Sequence, residues 1–268
     1  MEPSLMGRVA VVTGVSRRQG IGYAVARRLA AMGSSVFVHH FQPHDTEQPW
    51  GADDVAALME DIGSCLLDGA SIAEASADLA VASSSERVID AAVRAFGHLD
   101  ILVCNHARSG GDGELGELDA SMLDAHWQVN ARSTLLLTRH FAAQHDGRSG
   151  GRVIWMTSGQ QLGPLRGEVA YAASKAALAG VTQTVADELV DRGILLNTVN
   201  PGPVNTGYLD VATSHLDEAV VQKVLASFPM RRFGKPDDPA RLIAWLASDE
   251  AGWMVGQVLN TEGGFRRW

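Results

Sequence analysis

Tyr171 and Lys175 stand four residues apart in the stretch GEVAYAASKAALAGVTQTVADEL, Gly167 to Leu189, an alanine-rich run of good helix formers. At that spacing the two side chains share one helical face, about one turn apart. A fixed ammonium beside a phenol favours the ionised phenol, so its proton moves more readily at neutral pH. A general acid/base acting on a carbonyl or an alcohol needs that property. Ser158, thirteen residues before Tyr171, ends an apolar run (RVIWMT, Arg152 to Thr157) and is a second candidate for the same chemistry. Strand ends of this kind are where open α/β sheets place ligand-contacting groups.

Other parts of the chain must position these residues. Arg8 to Thr13 (RVAVVT) is a β-rich apolar run that ends at Gly14. It is followed by VSRRQ, Gly20-Ile21-Gly22 and an apolar-periodic helix from Tyr23 to Met32. Strand, glycine-rich turn and helix in that order place backbone N–H groups and a helix dipole where a pyrophosphate binds. A second strand, Ser35 to His40, lacks at its end the carboxylate that usually holds a ribose 2′-hydroxyl; the first acid is Asp45. With Arg17 and Arg18 in the preceding turn, the pattern favours a 2′-phosphate, and hence NADP(H) over NAD(H). His39, His40 and His44 lack the accompanying carboxylate or cysteine spacing of a metal site, so no metal is expected.

Further along, Gln42 to Gly51 reads as a long polar loop with a role in assembly, in covering a cofactor, or in neither, before a helix from Asp53 to Ile62. Ala70 to Asp78 holds a third strand. Ser85 to Phe96 is a helix, and Leu99 to Cys104 a fourth strand that runs into Asn105-His106-Ala107. His106 is either a catalytic base or a polar space-filler. Asp119 to His145 reads as one long helix whose Asn130 costs helix propensity and so has either a hydrogen-bonding task or a surface position. Gly193 to Val199 is a sixth strand ending in the rigid turn Asn200 to Thr206. Asp210 to Phe228 reads as a helical flap within 207–230, Asp237 to Ser248 as a helix, and Gly256 to Asn260 as the last strand. Strands alternating with helices predict a single Rossmann-like domain over 1–268, a doubly wound parallel sheet of about seven strands with helices on both faces.

Composition sets outer limits. The 268 residues are 46% hydrophobic and 20% charged, enough apolar material for a sizeable core. A net charge of −9 disfavours nucleic acid and anionic membrane surfaces. No apolar run approaches the ~20 residues of a membrane span, and the opening residues lack the pattern of a secretory signal. A cytoplasmic location is therefore expected. The two cysteines make no disulfide framework, Cys104 reading as a buried free thiol.

Taken together these motifs resemble the classical short-chain dehydrogenase/reductase family over nearly the whole chain. Asn130, Ser158, Tyr171 and Lys175 match the order and spacing of its catalytic tetrad; Pro201-Gly202 with Thr206, and Gly256 to Gly264, match its later motifs. The resemblance implies hydride transfer between a nicotinamide and a small carbonyl or secondary-alcohol substrate. Tyr171 would act as general acid/base, Lys175 would lower its pKa and hold the nicotinamide ribose, Ser158 would bond the substrate oxygen, and Asn130 would help place a water. It also implies cofactor contacts from Gly14, Ser16, Arg17, Arg18, Gly20, Ile21, Gly22, His40, Asp78, Leu79, Asn105, Tyr171, Lys175, Pro201, Gly202, Val204 and Thr206, with Asp78 at the adenine. Assembly as a homodimer or homotetramer through the helices Asp119–His145 and Gly167–Arg192 follows from the same resemblance, as does a 3-oxoacyl-type reductase as first choice of activity.

Two departures stand out. Five residues separate Thr13-Gly14 from Gly20-Ile21-Gly22, two more than the family's usual three, and the NNAG after the fourth strand is replaced by Cys104-Asn105-His106-Ala107. The longer loop resembles the enoyl reductase branch, whose Tyr and Lys are spaced more widely, so carbonyl chemistry fits better. Arg108, Trp155, Gln160, Leu162 and Tyr208 are candidate substrate-lining residues. A nucleotide-binding regulator or scaffold without catalysis is the alternative.

Overall fold

The strands come first because their sequences leave little choice. Val9–Thr13 (β1), Ser35–His40 (β2), Ile101–Cys104 (β4), Gly151–Met156 (β5) and Ile194–Asn200 (β6) are short, rich in apolar or β-branched residues and almost wholly buried. Runs buried on both faces are what a parallel sheet between helix layers requires. With Ile72–Ser76 (β3) and Val258–Asn260 (β7) they form one seven-stranded parallel sheet in the order β3-β2-β1-β4-β5-β6-β7. The structure, a computed structural model, describes residues 4–210 and 218–267.

The helices are Ile21–Ala31 (α1), the short Gln42–Thr46 (α2), Val55–Gly63 (α3), Ser84–Phe96 (α4), Ala120–His126 (α5), Ser133–Gln144 (α6), Val169–Val190 (α7), Glu218–Ala226 (α8) and Asp237–Ala247 (α9). They cover both faces. Alternation along β1 shows how: Ala10 and Val12 enter the core under α1, α3 and α9, while Val9 and Val11 enter the core under α4, α6 and α7. Strand order reverses direction between β1 and β4, and the carboxyl ends of these two strands, Gly14 and Asn105, open the crevice that such a switch point creates.

Three expected elements differ in form. The polar stretch Gln42 to Gly51 contains the helical turn α2, with Pro43 in its first turn where a missing N–H costs nothing. The expected helix Asp119 to His145 is broken between α5 and α6 by a π-helical segment, Trp127–Arg132. The flap expected over Asp210 to Phe228 is in part outside the described residues, and its helix is the shorter α8.

Candidate active site

The carboxyl ends of β1, β4, β5 and β6 line a cleft of about 700 Å³. At its floor Gly14 has φ +73°, and a side chain there would meet the His106 backbone at 2.8 Å. Gly22, in the first turn of α1, lies closer still: an added Cβ would stand 2.5 Å from the Gly14 carbonyl oxygen and 2.6 Å from Asn105 Nδ2. Asn105 Nδ2 in turn donates to the Thr13 and Gly14 carbonyls, at 3.0 and 3.1 Å. The glycines thus let three backbone segments close to van der Waals distance. Gly20 caps α1 with no side chain spent on the helix N–H groups and no acid in the first turn. That helix end faces the cleft with its donors and dipole available, which fits a pyrophosphate.

The helix that carries Tyr171 and Lys175 is held by an unexpected cap. Asp112, in the loop after β4, accepts from the Tyr171 and Ala170 backbone N–H groups at 2.7 and 3.1 Å, taking the role that an N-cap side chain performs. Asn130, fully buried in the π-helical segment, accepts from Arg108 N (2.7 Å) and donates to Arg108 O (3.1 Å) and to Ser174 Oγ (3.0 Å). Its hydrogen-bonding task is therefore to lock the loop after β4 onto α7. The widened turn makes room for further ties: Val129 O accepts from Ser133 Oγ and stands 3.0 Å from His106 Nε2.

Tyr171, Lys175 and Ser158 all line the cleft. Burial dominates the acid–base behaviour of Tyr171 and Lys175. It pushes the Tyr171 phenol up to about 12, with the neighbouring Ser158 hydroxyl working in the opposite sense. Burial also brings the Lys175 ammonium down to about 8. Lys175 Nζ donates to Met156 O at 3.0 Å and sits 5.9 Å from the Tyr171 ring centroid. Desolvation therefore leaves the Tyr171 phenol raised in place of the expected lowering by Lys175, and the group that works downward is the Ser158 hydroxyl.

Most predicted cofactor residues line the cleft: Gly14, Ser16, Arg17, Gly20, Ile21, Asp78, Leu79, Asn105, Pro201, Gly202, Val204 and Thr206. Four predicted site residues lie elsewhere. Gly22 packs behind the lining, and Asn130 acts from beneath it. Arg18 points outward, its Nε 2.7 Å from Asp61 on α3. His40 turns its ring to Glu74 on β3 at 2.7 Å, and the strand's two-residue period puts His39 into the cleft in its place. Of the proposed substrate-lining residues, Arg108 and Tyr208 line the cleft. Trp155 lies in the core with Nε1 bonded to Thr138, Gln160 bonds Thr157, and Leu162 is exposed.

Sequence reasoning missed Phe41, Asp112 and Glu168 in the lining, and did not foresee that His44 and Asp45 join them. Asp45 is buried on α2, receiving the Ser16 hydroxyl and Arg17 Nε, the latter at 2.9 Å. Arg17 also donates to Thr206 O (2.6 Å) and lies 4.9 Å over the Trp50 ring, which stacks edgewise on Tyr208 at 4.3 Å. The stretch after β2 and the chain after β6 thereby meet over the lengthened glycine loop. His106 is buried with partners on both ring nitrogens, Thr13 Oγ1 and Ser133 Oγ each at 2.7 Å, so it ties β1 to the start of α6. Among the described residues no group of three or more metal-ligating side chains gathers, and no helix is long and apolar enough to cross a membrane.

His39 yields a stability prediction. Its Nε2 contacts Ala77 O at 2.9 Å and burial brings its pKa down to about 4 from 6.5. Between those values the unfolded chain carries a proton that the folded chain does not, so stability rises with pH through this window and falls on acidification. His106, also lowered by burial, acts in the same sense. The urea midpoint should therefore drop from pH 6.5 to pH 4.5, with a shallower slope in His39→Gln. An unchanged slope would refute the assignment.

Residues 14–266 match a family model described as enoyl-(acyl carrier protein) reductase. An uncharacterised oxidoreductase of Bacillus subtilis is 39% identical, covering 97% of each chain, and a short-chain type dehydrogenase/reductase of Picea abies is 36% identical, covering 97% of this chain and 93% of its own. Among solved structures, a short-chain dehydrogenase/reductase from Serratia marcescens superposes with TM-score 0.81 at 33% identity over 97% of this chain and 98% of its own. A 3-oxoacyl (acyl-carrier-protein) reductase from Agrobacterium tumefaciens with NADP bound superposes with TM-score 0.81 at 31% identity over 98% and 95%. The chain belongs to the short-chain dehydrogenase/reductase family. It is an oxidoreductase of that family, whose members use nicotinamide cofactors.

Proposed function

We propose that the protein is an NADP(H)-dependent reductase of a small carbonyl compound, with a 3-oxoacyl-type substrate as the first choice. The observation that carries this is the cleft in which Ser158, Tyr171 and Lys175 converge beside the uncapped end of α1. Tyr171 gives its proton to the substrate oxygen, Ser158 bonds that oxygen, and Lys175 holds the nicotinamide ribose. Asn130 acts by positioning, through Arg108 and Ser174. Bound NADP(H) supplies the hydride. The family description names an enoyl substrate, but the Tyr171–Lys175 spacing supports carbonyl chemistry.

The preference for NADP(H) rests on the missing carboxylate at the end of β2 and on Arg17 in the cleft. Gly14, Ser16, Gly20, Ile21, Asp78, Leu79, Asn105, Pro201, Gly202, Val204 and Thr206 form the remainder of the proposed cofactor site, with Gly22 shaping it from behind. Arg17→Ala, at a residue that lines the cleft, should weaken NADPH binding about tenfold or more while changing NADH little; Arg18→Ala, at a residue that points out of the cleft toward Asp61, should change neither. Fluorescence titration of both cofactors checks this, and equal losses for NADPH and NADH would overturn the preference. A homodimer or homotetramer is proposed on the exposed apolar Leu123, Trp127 and Val181 along α5, the π-helical segment and α7.

A further inference from the structure

Two arginines line the cleft, and they differ in what surrounds their charge. Arg17 is matched by the buried carboxylate of Asp45. Arg108, four residues past the end of β4, has no ion pair among the described residues, and its Nε is shut off from solvent without any acceptor. A guanidinium nitrogen in that condition destabilises the fold unless an acceptor arrives. Local acids do not supply one. Asp112 is engaged by the backbone N–H groups of Gly113, Ala170 and Tyr171, and Glu168 is drawn toward its neutral form by desolvation and by Asp112.

The backbone fixes where this charge sits. Both main-chain polar groups of Arg108 are held by Asn130, which also holds Ser174, the residue before Lys175. Ser109 bonds the Tyr208 hydroxyl at 2.5 Å, and a Cβ at Gly111 would stand 3.2 Å from Arg108 Nη2. Asp112, the next residue, caps the helix that carries Tyr171. The guanidinium therefore belongs to a wall shared with the catalytic helix, although its field also reaches His44 on α2.

We infer that Arg108 is the subsite for an oxyanion carried by the carbonyl substrate, a carboxylate in the simplest case. This deepens the proposed activity and rests on it. A planar guanidinium binds a carboxylate through two parallel hydrogen bonds, which distinguishes an oxo acid from its ester. The test is calorimetric titration of the NADP-saturated protein with 3-oxobutanoate and with its methyl ester, in the wild type, Arg108→Lys and Arg108→Ala. The wild type should bind the acid at least tenfold more tightly than the ester. Arg108→Ala should lose roughly 10- to 100-fold for the acid and much less for the ester, with Arg108→Lys between them. Equal affinity of acid and ester in the wild type, or equal losses for both in Arg108→Ala, would overturn the assignment. So would a loss that falls instead on NADPH binding, since the oxyanion would then be a cofactor phosphate. Because these readouts are binding, they stand even where turnover fails; turnover of neither compound with the acid preference intact would count against the reductase activity alone.

Discussion

Tyr171→Phe should lower kcat by on the order of 10²- to 10⁴-fold while leaving NADPH affinity and the unfolding midpoint near those of the wild type. The magnitude is that of a positioned proton donor removed from a reaction that develops charge on oxygen. The selectivity follows from how the residue is held. Its main-chain N–H, not its hydroxyl, receives the Asp112 cap, and its ring keeps the edgewise contact with His126 at 6.4 Å when the hydroxyl is gone. The hydroxyl lines the open cleft beside that of Ser158, so removing it leaves no core group without a partner and little stability is at stake. Steady-state turnover of a ketone panel at saturating NADPH decides the matter. A variant retaining more than about a tenth of wild-type kcat would exclude Tyr171 as the proton donor.

The legible parts of the sequence were those where one local signal suffices. Apolar, β-branched runs such as RVAVVT and RVIWMT give buried parallel strands with little ambiguity, and their alternation with helices gives the sheet. The Ser158, Tyr171 and Lys175 positions were legible because strand end and helix register place them at one edge of that sheet. What stayed hidden depended on side-chain direction across the fold. His39 and His40 are adjacent, and only the pairing of β2 with β3 decides that His40 meets Glu74 while His39 enters the cleft. Arg17 and Arg18 are likewise neighbours, sent to opposite sides by Asp45 and Asp61, which lie far along the chain. Asp112 gives no sequence signal as a cap because it serves a helix that starts 57 residues later, at Val169. The π-helical segment shows the same limit: an asparagine in a helix announces a task, but the partner loop that defines it comes only from the fold.

Gly22→Ala should cost both stability and cofactor binding, from one methyl group. The Cβ would stand 2.5 Å from the Gly14 carbonyl oxygen and 2.6 Å from Asn105 Nδ2, and neither neighbour can retreat cheaply. The carbonyl is backbone that also accepts from Asn105 Nδ2, and Asn105 bridges it to Thr13. Relief requires α1 to move away from the glycine loop, an overpacking strain worth on the order of 1–3 kcal/mol. Moving α1 also re-aims the free N–H groups of its first turn, so NADPH affinity should fall with the unfolding midpoint. Gly63→Ala is the control, since its Cβ meets only Ile72 Cγ2 at 3.9 Å at the last position of α3. It should leave cofactor affinity untouched and be neutral or stabilising by up to about 1 kcal/mol. Urea melts and NADPH titrations of the two variants separate the cases. A Gly22→Ala protein as stable as wild type with full NADPH affinity would mean that the close approach of α1 to the glycine loop is not what holds the pyrophosphate-binding end of the helix in place.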